Sequence, residues 1–255
     1  MTDHSDVTGK AQVRQQGDIL QLVFDNEADA IQSAIDLKQP HRLVMKNLQY
    51  LMGILLFMPA PQKILLLGVG GGSLIQFFRH YLPQSHITAV DYDQSLLDLA
   101  HQQMLLPQAS PQLSYAVLDA RQFIADATQQ FDLIVVDIFD GSQSPKWLLQ
   151  DEFTRQLQGC LSKQGALAYN LLMQSETAFS TFYKRLRHIF RSQTLCLEAE
   201  EYENILLYAL NFEPPKRSMM QNIEHAALTE TRYPLPFSQI LSVIYNINPV
   251  DAGII

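Results

Sequence analysis

The sequence predicts an α/β fold with a doubly wound, mostly parallel sheet, and three observations carry that expectation. From Lys63 onward, short apolar runs alternate with amphipathic stretches; FDLIVV at 131–136 is apolar nearly throughout; and the apolar run at 64–68 leads straight into a glycine-rich turn. Alternation of strand and helix patterns favours parallel strands, because each helix supplies the crossover that a parallel neighbour needs. A strand apolar on both of its faces is what a central position, covered by helices on either side, requires.

Taken in order, DILQLVF at 18–24 reads as a strand, and residues 1–39 as a small β-containing arm. Pro40 suits the start of a helix, and Leu43, Val44, Leu48, Leu51, Leu55 and Leu56 recur at helical intervals as far as Pro59. The main domain is expected over 40–213, with strands at 64–68, 86–91, 113–118 and 131–137 and helices at 74–81, 94–104 and 120–127. A helix at 151–161, the strand GALAYNLL, a helix at 176–190 and strands at 193–198 and 204–210 follow. The last two are close enough to form a hairpin, which would set one strand antiparallel to the rest. Residues 214–255 are expected as a helical extension packed on the domain, with one helix at 216–228 and an apolar segment PLPFSQILSVIY covering the sheet or a partner.

The turn after the first strand of the main domain carries Gly68, Gly70, Gly71 and Gly72. Glycine suits a backbone that must turn sharply and come close to a ligand. The pattern G-x-G-G-G departs from the dinucleotide fingerprint, whose register Ile75 breaks, so an adenosine without a pyrophosphate fits better than NAD. Asp91 follows the turn by about 20 residues at a strand end, the place from which a carboxylate reaches ribose hydroxyls. Asp119, in Leu118-Asp119-Ala120, ends the next strand and is placed to meet an adenine amino group. The competing reading of Asp91, Asp93 and Asp119 is that each caps the helix after it.

A chain of 255 residues with 47% hydrophobic residues can bury a substantial core. Its net charge of −8 disfavours a phosphate backbone, and the one basic cluster, Lys184 to Arg191, has the spacing of a solvated helix face, so nucleic acid is not the expected partner. Cys160 and Cys196 stand far apart, and the seven histidines lack metal-ligand spacing, so neither a disulfide framework nor a metal site is expected. The start MTDHSDVTGK is polar and the apolar stretch 48–58 is too short to span a bilayer, so a cytoplasmic, membrane-free protein is expected.

The pieces IQSAIDLKQPHRLV, LLLGVGGGSL, ITAVDYD, LDARQFI, FDLIVVDIFDG and LSKQGALAYNLL, spread from about Ile31 to Leu172, together resemble the spermidine synthase-like proteins. These are the aminopropyltransferase branch of the class I AdoMet-dependent methyltransferase fold, a Rossmann-like sheet of seven strands. The resemblance implies that Gly68, Gly70, Gly71, Gly72, Asp91 and Tyr92 surround the sugar and sulfonium arm of the donor, and that Asp119 and Ala120 meet its adenine. It also implies that Asp137 activates an attacking amine while Asp140 helps to hold it, and that the protein assembles as a dimer or tetramer, with a homodimer the candidate. Two departures stand out. The family's first turn reads G-G-G-D-G-G, and Gly71 stands here in place of the acid that faces the donor's amine. The Tyr-His-Glu segment of the family is unmatched in MKNLQYLMG, where Lys46 falls near the tyrosine and would repel a cationic polyamine.

Loss of the acid at Gly71 removes repulsion against the carboxylate of ordinary AdoMet. The sequence therefore leads to an AdoMet-binding alkyltransferase, with methyl the expected group and a small molecule, an amine among the candidates, the expected acceptor. Aminopropyl transfer from decarboxylated AdoMet to putrescine or a related amine is the alternative, and aminocarboxypropyl transfer is a third course. A non-catalytic nucleoside-binding protein is the reading from another class. Asp137 and Asp140 are the candidate catalytic residues; the competing roles are a strand-end acid bound to backbone amides and a turn former before Gly141.

Overall fold

The computed structural model describes residues 10–25, 31–141, 143–173, 175–199, 202–249 and 254. It opens with a three-stranded antiparallel sheet of β1 (Ala11–Gln16), β2 (Ile19–Phe24) and β3 (Ile31–Asp36), in that order. Only β2 was legible in the sequence, since it is buried along most of its length. β1, AQVRQQ, is mainly exposed and polar, so it presents no apolar signal.

The helix expected from Pro40 begins later and is shorter: α1 (Lys46–Leu51) passes directly into a 3₁₀ turn at Met52–Leu56. The residues before it are held by other bonds. Arg42 donates to Asp36 at 3.0 and 2.7 Å, and Ile35 bridges Leu43 in antiparallel fashion, so the chain around Pro40 folds back on β3. The helical spacing of leucines there reflects shared burial, not a continuous helix.

The main sheet has seven strands. In spatial order these are β6 (Leu113–Val117), β5 (His86–Asp91), β4 (Lys63–Leu67), β7 (Phe131–Val136), β8 (Leu161–Leu172), β10 (Asn204–Leu210) and β9 (Thr194–Glu198). β10 pairs antiparallel with both β8 and β9, and the remaining pairs are parallel. The connecting helices are α2 (Ser73–Tyr81), α3 (Gln94–Gln103), α4 (Ala120–Asp126), α5 (Asp151–Gly159) and α6 (Glu176–Ile189).

Alternate residues of each central strand feed opposite cores. Ile64 and Leu66 of β4, with Leu133 and Val135 of β7, join the core shared with α1, α2 and α3. Leu65 and Leu67, with Ile134 and Val136, join the core under α5 and α6. Strand order runs outward from β4 to β6 and then resumes on the other side at β7, so the C-terminal ends of β4 and β7 flank the switch point where such sheets bind ligands.

The tail forms two helices, α7 (Met219–Arg232) and α8 (Phe237–Ile247). The second lies in the apolar segment for which the sequence suggested only a cover, and the first runs four residues past its expected end. Phe237, Ile240, Leu241 and Ile244 are buried in the α1-side core. Asn248 then accepts from the Cys196 amide at 2.9 Å and donates to its carbonyl at 2.8 Å, satisfying β9 from its free side. Among the described residues no helix is long and apolar enough to cross a membrane.

Because Phe237 is fully buried, Phe237→Ala should cost about 3–5 kcal/mol. Urea unfolding monitored by circular dichroism checks this, and a loss below about 1 kcal/mol would show that α8 is peripheral to the core.

Candidate active site

The site begins where β4 ends. Gly68 has φ 92°, and a Cβ built on it would lie 2.1 Å from the backbone oxygen of Asp137. No other residue can take this place without moving the glycine turn away from the end of β7. Backbone bonds fix the same neighbourhood: the Gly68 amide donates to Val90 and the Asp137 amide to Leu67, each at 2.9 Å. The ends of β5, β4 and β7 are thereby tied side by side.

Gly70 and Gly72 also have positive φ, and a Cβ on Gly70 would meet nothing within 4 Å, so the turn there faces open space. Gly71 is different. It is buried, and the position its Cβ would take lies 2.6 Å from Ser33 Oγ and 2.8 Å from Met104 Cε. The Ser33 hydroxyl is 3.0 Å from that of Ser73, which donates to the Ala34 carbonyl. The Ser33 side chain and the Met104 methyl group therefore pack where a side chain at position 71 would begin.

Asp91 ends β5 and accepts from the Val69 amide at 2.9 Å and from the Asp93 amide at 3.1 Å. Burial pushes its carboxyl above the usual range, and these backbone donors oppose the push. The carboxylate thus braces the glycine turn and borders the cavity described below. Tyr92 beside it is 58% exposed on the rim. Asp93 and Asp119 behave as caps: Asp93 accepts from Leu96 at 3.1 Å and Asp119 from Arg121 at 2.7 Å. The Arg121 guanidinium closes on Asp119 and lies 5.0 Å from the ring of Trp147. Asp119 and Ala120 still face the cavity, but the carboxylate of Asp119 is already engaged by its own helix and by Arg121.

Asp137 follows β7. The Asn170 side chain of β8 donates to its Oδ1 at 2.8 Å, and Asn204 of β10 donates to Asn170 Oδ1 at 2.9 Å. Desolvation raises the Asp137 carboxyl to about 6, with the Asn170 bond pulling the other way. Asp140 is exposed, in a turn closed by its amide on the Gln143 carbonyl at 2.8 Å and continued by Gly141 at φ 59°. The strand-end and turn roles weighed from sequence thus divide: the Asp137 carboxylate accepts from the side-chain amide of Asn170, and Asp140 sits in a turn.

One cavity of about 820 Å³ joins these parts, within the roughly 300–1,000 Å³ range of ligand pockets. Its wall includes Gly68, Gly70, Asp91, Tyr92, Asp137 and Asp140. Gly71 and Gly72 support the turn from behind, without appearing on that wall. Lys46 opens α1 and is likewise not on the wall, whereas Leu48 is, so the repulsion expected from that lysine is not built into the cavity. Sequence reasoning missed Ser33, Arg121 and Asn204. Ser33 and Asn204 come from strands remote in sequence, and only the pairing of the sheets reveals them; Arg121 sat inside the quoted LDARQFI piece, two residues from an acid.

An antiparallel strand inserted next to the edge of a parallel sheet, with a glycine turn and strand-end acids around one crevice, defines a class I AdoMet-dependent transferase fold. Residues 49–197 match the spermine/spermidine synthase domain, and the chain belongs to that family. A polyamine aminopropyltransferase of Neisseria meningitidis is 29% identical over 238 residues, covering 93% of this chain and 89% of that one. A probable spermidine synthase from Corynebacterium glutamicum superposes with a TM-score of 0.71 at 20% identity, over 96% of this chain and 94% of its own. Human methyltransferase-like protein 13, solved with SAH, gives 0.64 at 24% identity over 78% and 93%. The two structures share the fold.

Stability should report the buried carboxyl. Its folded value of about 6 lies above the ordinary 3.8, so the folded protein holds a proton that the unfolded chain releases. Stability then falls as pH rises through about 4 to 6 and stays at the lower level above. Asp137→Asn removes that penalty and should gain up to about 3 kcal/mol at pH 7, with no gain below about pH 4. Urea titrations at several pH values measure it. A pH-independent difference between the two proteins would contradict the assignment.

Proposed function

We propose that this protein is an aminopropyltransferase, moving the aminopropyl group of decarboxylated AdoMet to a small amine. The observation that carries the reading is Asp137: a desolvated carboxylate, raised to about 6, in one cavity with the glycine turn and Asp91. The family match and the Neisseria relative support aminopropyl over the methyl transfer expected from Gly71 alone.

Each element has a task in this reading. Gly70 leaves room for the nucleoside, Asp91 faces its ribose, and the Leu118 to Ala120 segment borders its adenine. Asp137 accepts a proton from the acceptor ammonium, freeing the nitrogen lone pair. The carbon–sulfur bond of the sulfonium breaks as the carbon–nitrogen bond forms, and the neutral thioether nucleoside leaves. An amine titrates at about 10.4, so raising the base from 3.8 to about 6 narrows the mismatch by about 3 kcal/mol. Asp140, on the rim, offers a second negative charge to a cationic acceptor.

Methyl transfer from AdoMet keeps one observation in its favour, the neutral Ser33 side chain packed against Gly71, where the resemblance places an acid. Product analysis separates the two. With decarboxylated AdoMet and putrescine, methylthioadenosine and spermidine should appear in equal amounts. The kcat/KM should fall below about pH 6, because the base must be ionised, and Asp137→Asn should lower kcat by about 10²-fold or more. A methylated product from AdoMet, with no transfer from the decarboxylated donor, would overturn the proposal.

A further inference from the structure

Asp137, Asn170 and Asn204 form a polar row running crosswise over three adjacent strands. Val136 stands opposite Tyr169 in the parallel pairing of β7 and β8, so Asp137 and Asn170 follow at the next step. Across the antiparallel pair, Asn170 faces Leu206 and Asn204 faces Leu172, which puts Asn204 diagonally next to Asn170 on the same side of the sheet. Asn170 and Asn204 are both buried, at 1% and 9% exposure.

An asparagine amide has a donor end and an acceptor end, and a carboxylate can only accept. Asn170 can therefore support ionised Asp137 in one orientation only, with its NH₂ toward the carboxylate. In the reverse orientation its carbonyl would face the negative charge. Nothing within Asn170 itself selects between the two. Asn204 does: its NH₂ donates to Asn170 Oδ1 at 2.9 Å, a bond that the reversed amide would replace by two opposed donors. We propose that Asn204, remote from the glycine turn and the reacting atoms, is the positioning residue of the catalytic base, fixing the Asn170 amide so that Asp137 is held ionised and aimed into the cavity.

The inference rests on Asp137 being the base. Among the described residues, the charged groups sharing its cavity are Asp140 on its own loop, Asp91 at the end of β5 and Asp93 just after it, Asp119 with Arg121 at α4, and Lys146 before α5. Arg121 is already committed to Asp119, and among the described residues the one side-chain hydrogen bond that favours the Asp137 charge comes from Asn170. Orientation of that amide therefore controls the base more directly than the surrounding charges do.

The test is the pH profile of kcat/KM for Asn204→Leu, with methylthioadenosine affinity measured beside it. The acidic limb should move up by about one pH unit, so that kcat/KM falls about twofold at pH 7 and about tenfold at pH 5, while the nucleoside binds within about twofold of the parent. Asn204→Ala, which removes the donor without adding a charge, should move the limb in the same direction, and it decides the matter if the leucine variant does not fold. A limb that stays in place in Asn204→Ala, or a lower kcat with an unmoved limb in Asn204→Leu, overturns the inference. Asp137→Asn run in parallel keeps the two proposals apart. If it retains activity, the assignment of the base fails; if it loses activity while the Asn204 variants keep the parent profile, only the positioning role fails.

Discussion

The structure depends on the contact between the glycine turn and the end of β7. With Gly68 in a left-handed conformation and its missing side chain opposite the Asp137 carbonyl, the loop that would cradle a nucleoside lies directly against the strand end that carries Asp137, the proposed base. In-line displacement at a sulfonium asks little of a protein beyond alignment of donor and acceptor. In the proposed reaction that alignment would come from the backbone, through a pair of parallel strands and a residue without a side chain, instead of being left to flexible groups.

The rest of the sheet makes this contact stiff. Two cores grip β4 and β7 from opposite faces, and α8 and the Asn248 bonds to β9 close the far side. The burial that stabilises the sheet also desolvates Asp137, so the same packing that holds the fold raises the carboxyl toward neutrality. Such a charge is a local cost to stability, and the row of asparagines limits that cost without abolishing it.

Much of the main domain was legible because its signals are local. The apolar runs of β4, β5, β6 and β7 and the amphipathic stretches between them place those elements to within about one residue of the strands and helices found. The hairpin reading of the last two strands also holds, with β10 inserted between β8 and β9. Signals failed where tertiary bonds decide. The Arg42 to Asp36 pair keeps the chain before Lys46 from being helical, β1 is too polar to announce itself, and α8 is apolar in a way that suits helix or cover equally. At the site, acids at strand ends look alike in sequence, yet Asp93 and Asp119 cap helices, Asp91 braces the turn and Asp137 meets Asn170. The inference from Gly71 to methyl transfer gave one residue more weight than the match over residues 49–197 supports.

Beside the glycine turn, Ser33 packs against Gly71, the position at which the resemblance places an acid facing the donor's amine, and its hydroxyl lies 3.0 Å from that of Ser73. Donor choice is therefore the most direct test of the account. Calorimetric titration with decarboxylated AdoMet and with AdoMet, using methylthioadenosine to report the nucleoside part alone, measures it. The account predicts tighter binding of the decarboxylated donor, whose arm carries no carboxylate into a cavity that already holds Asp91 and Asp137. Tighter binding of AdoMet would contradict it.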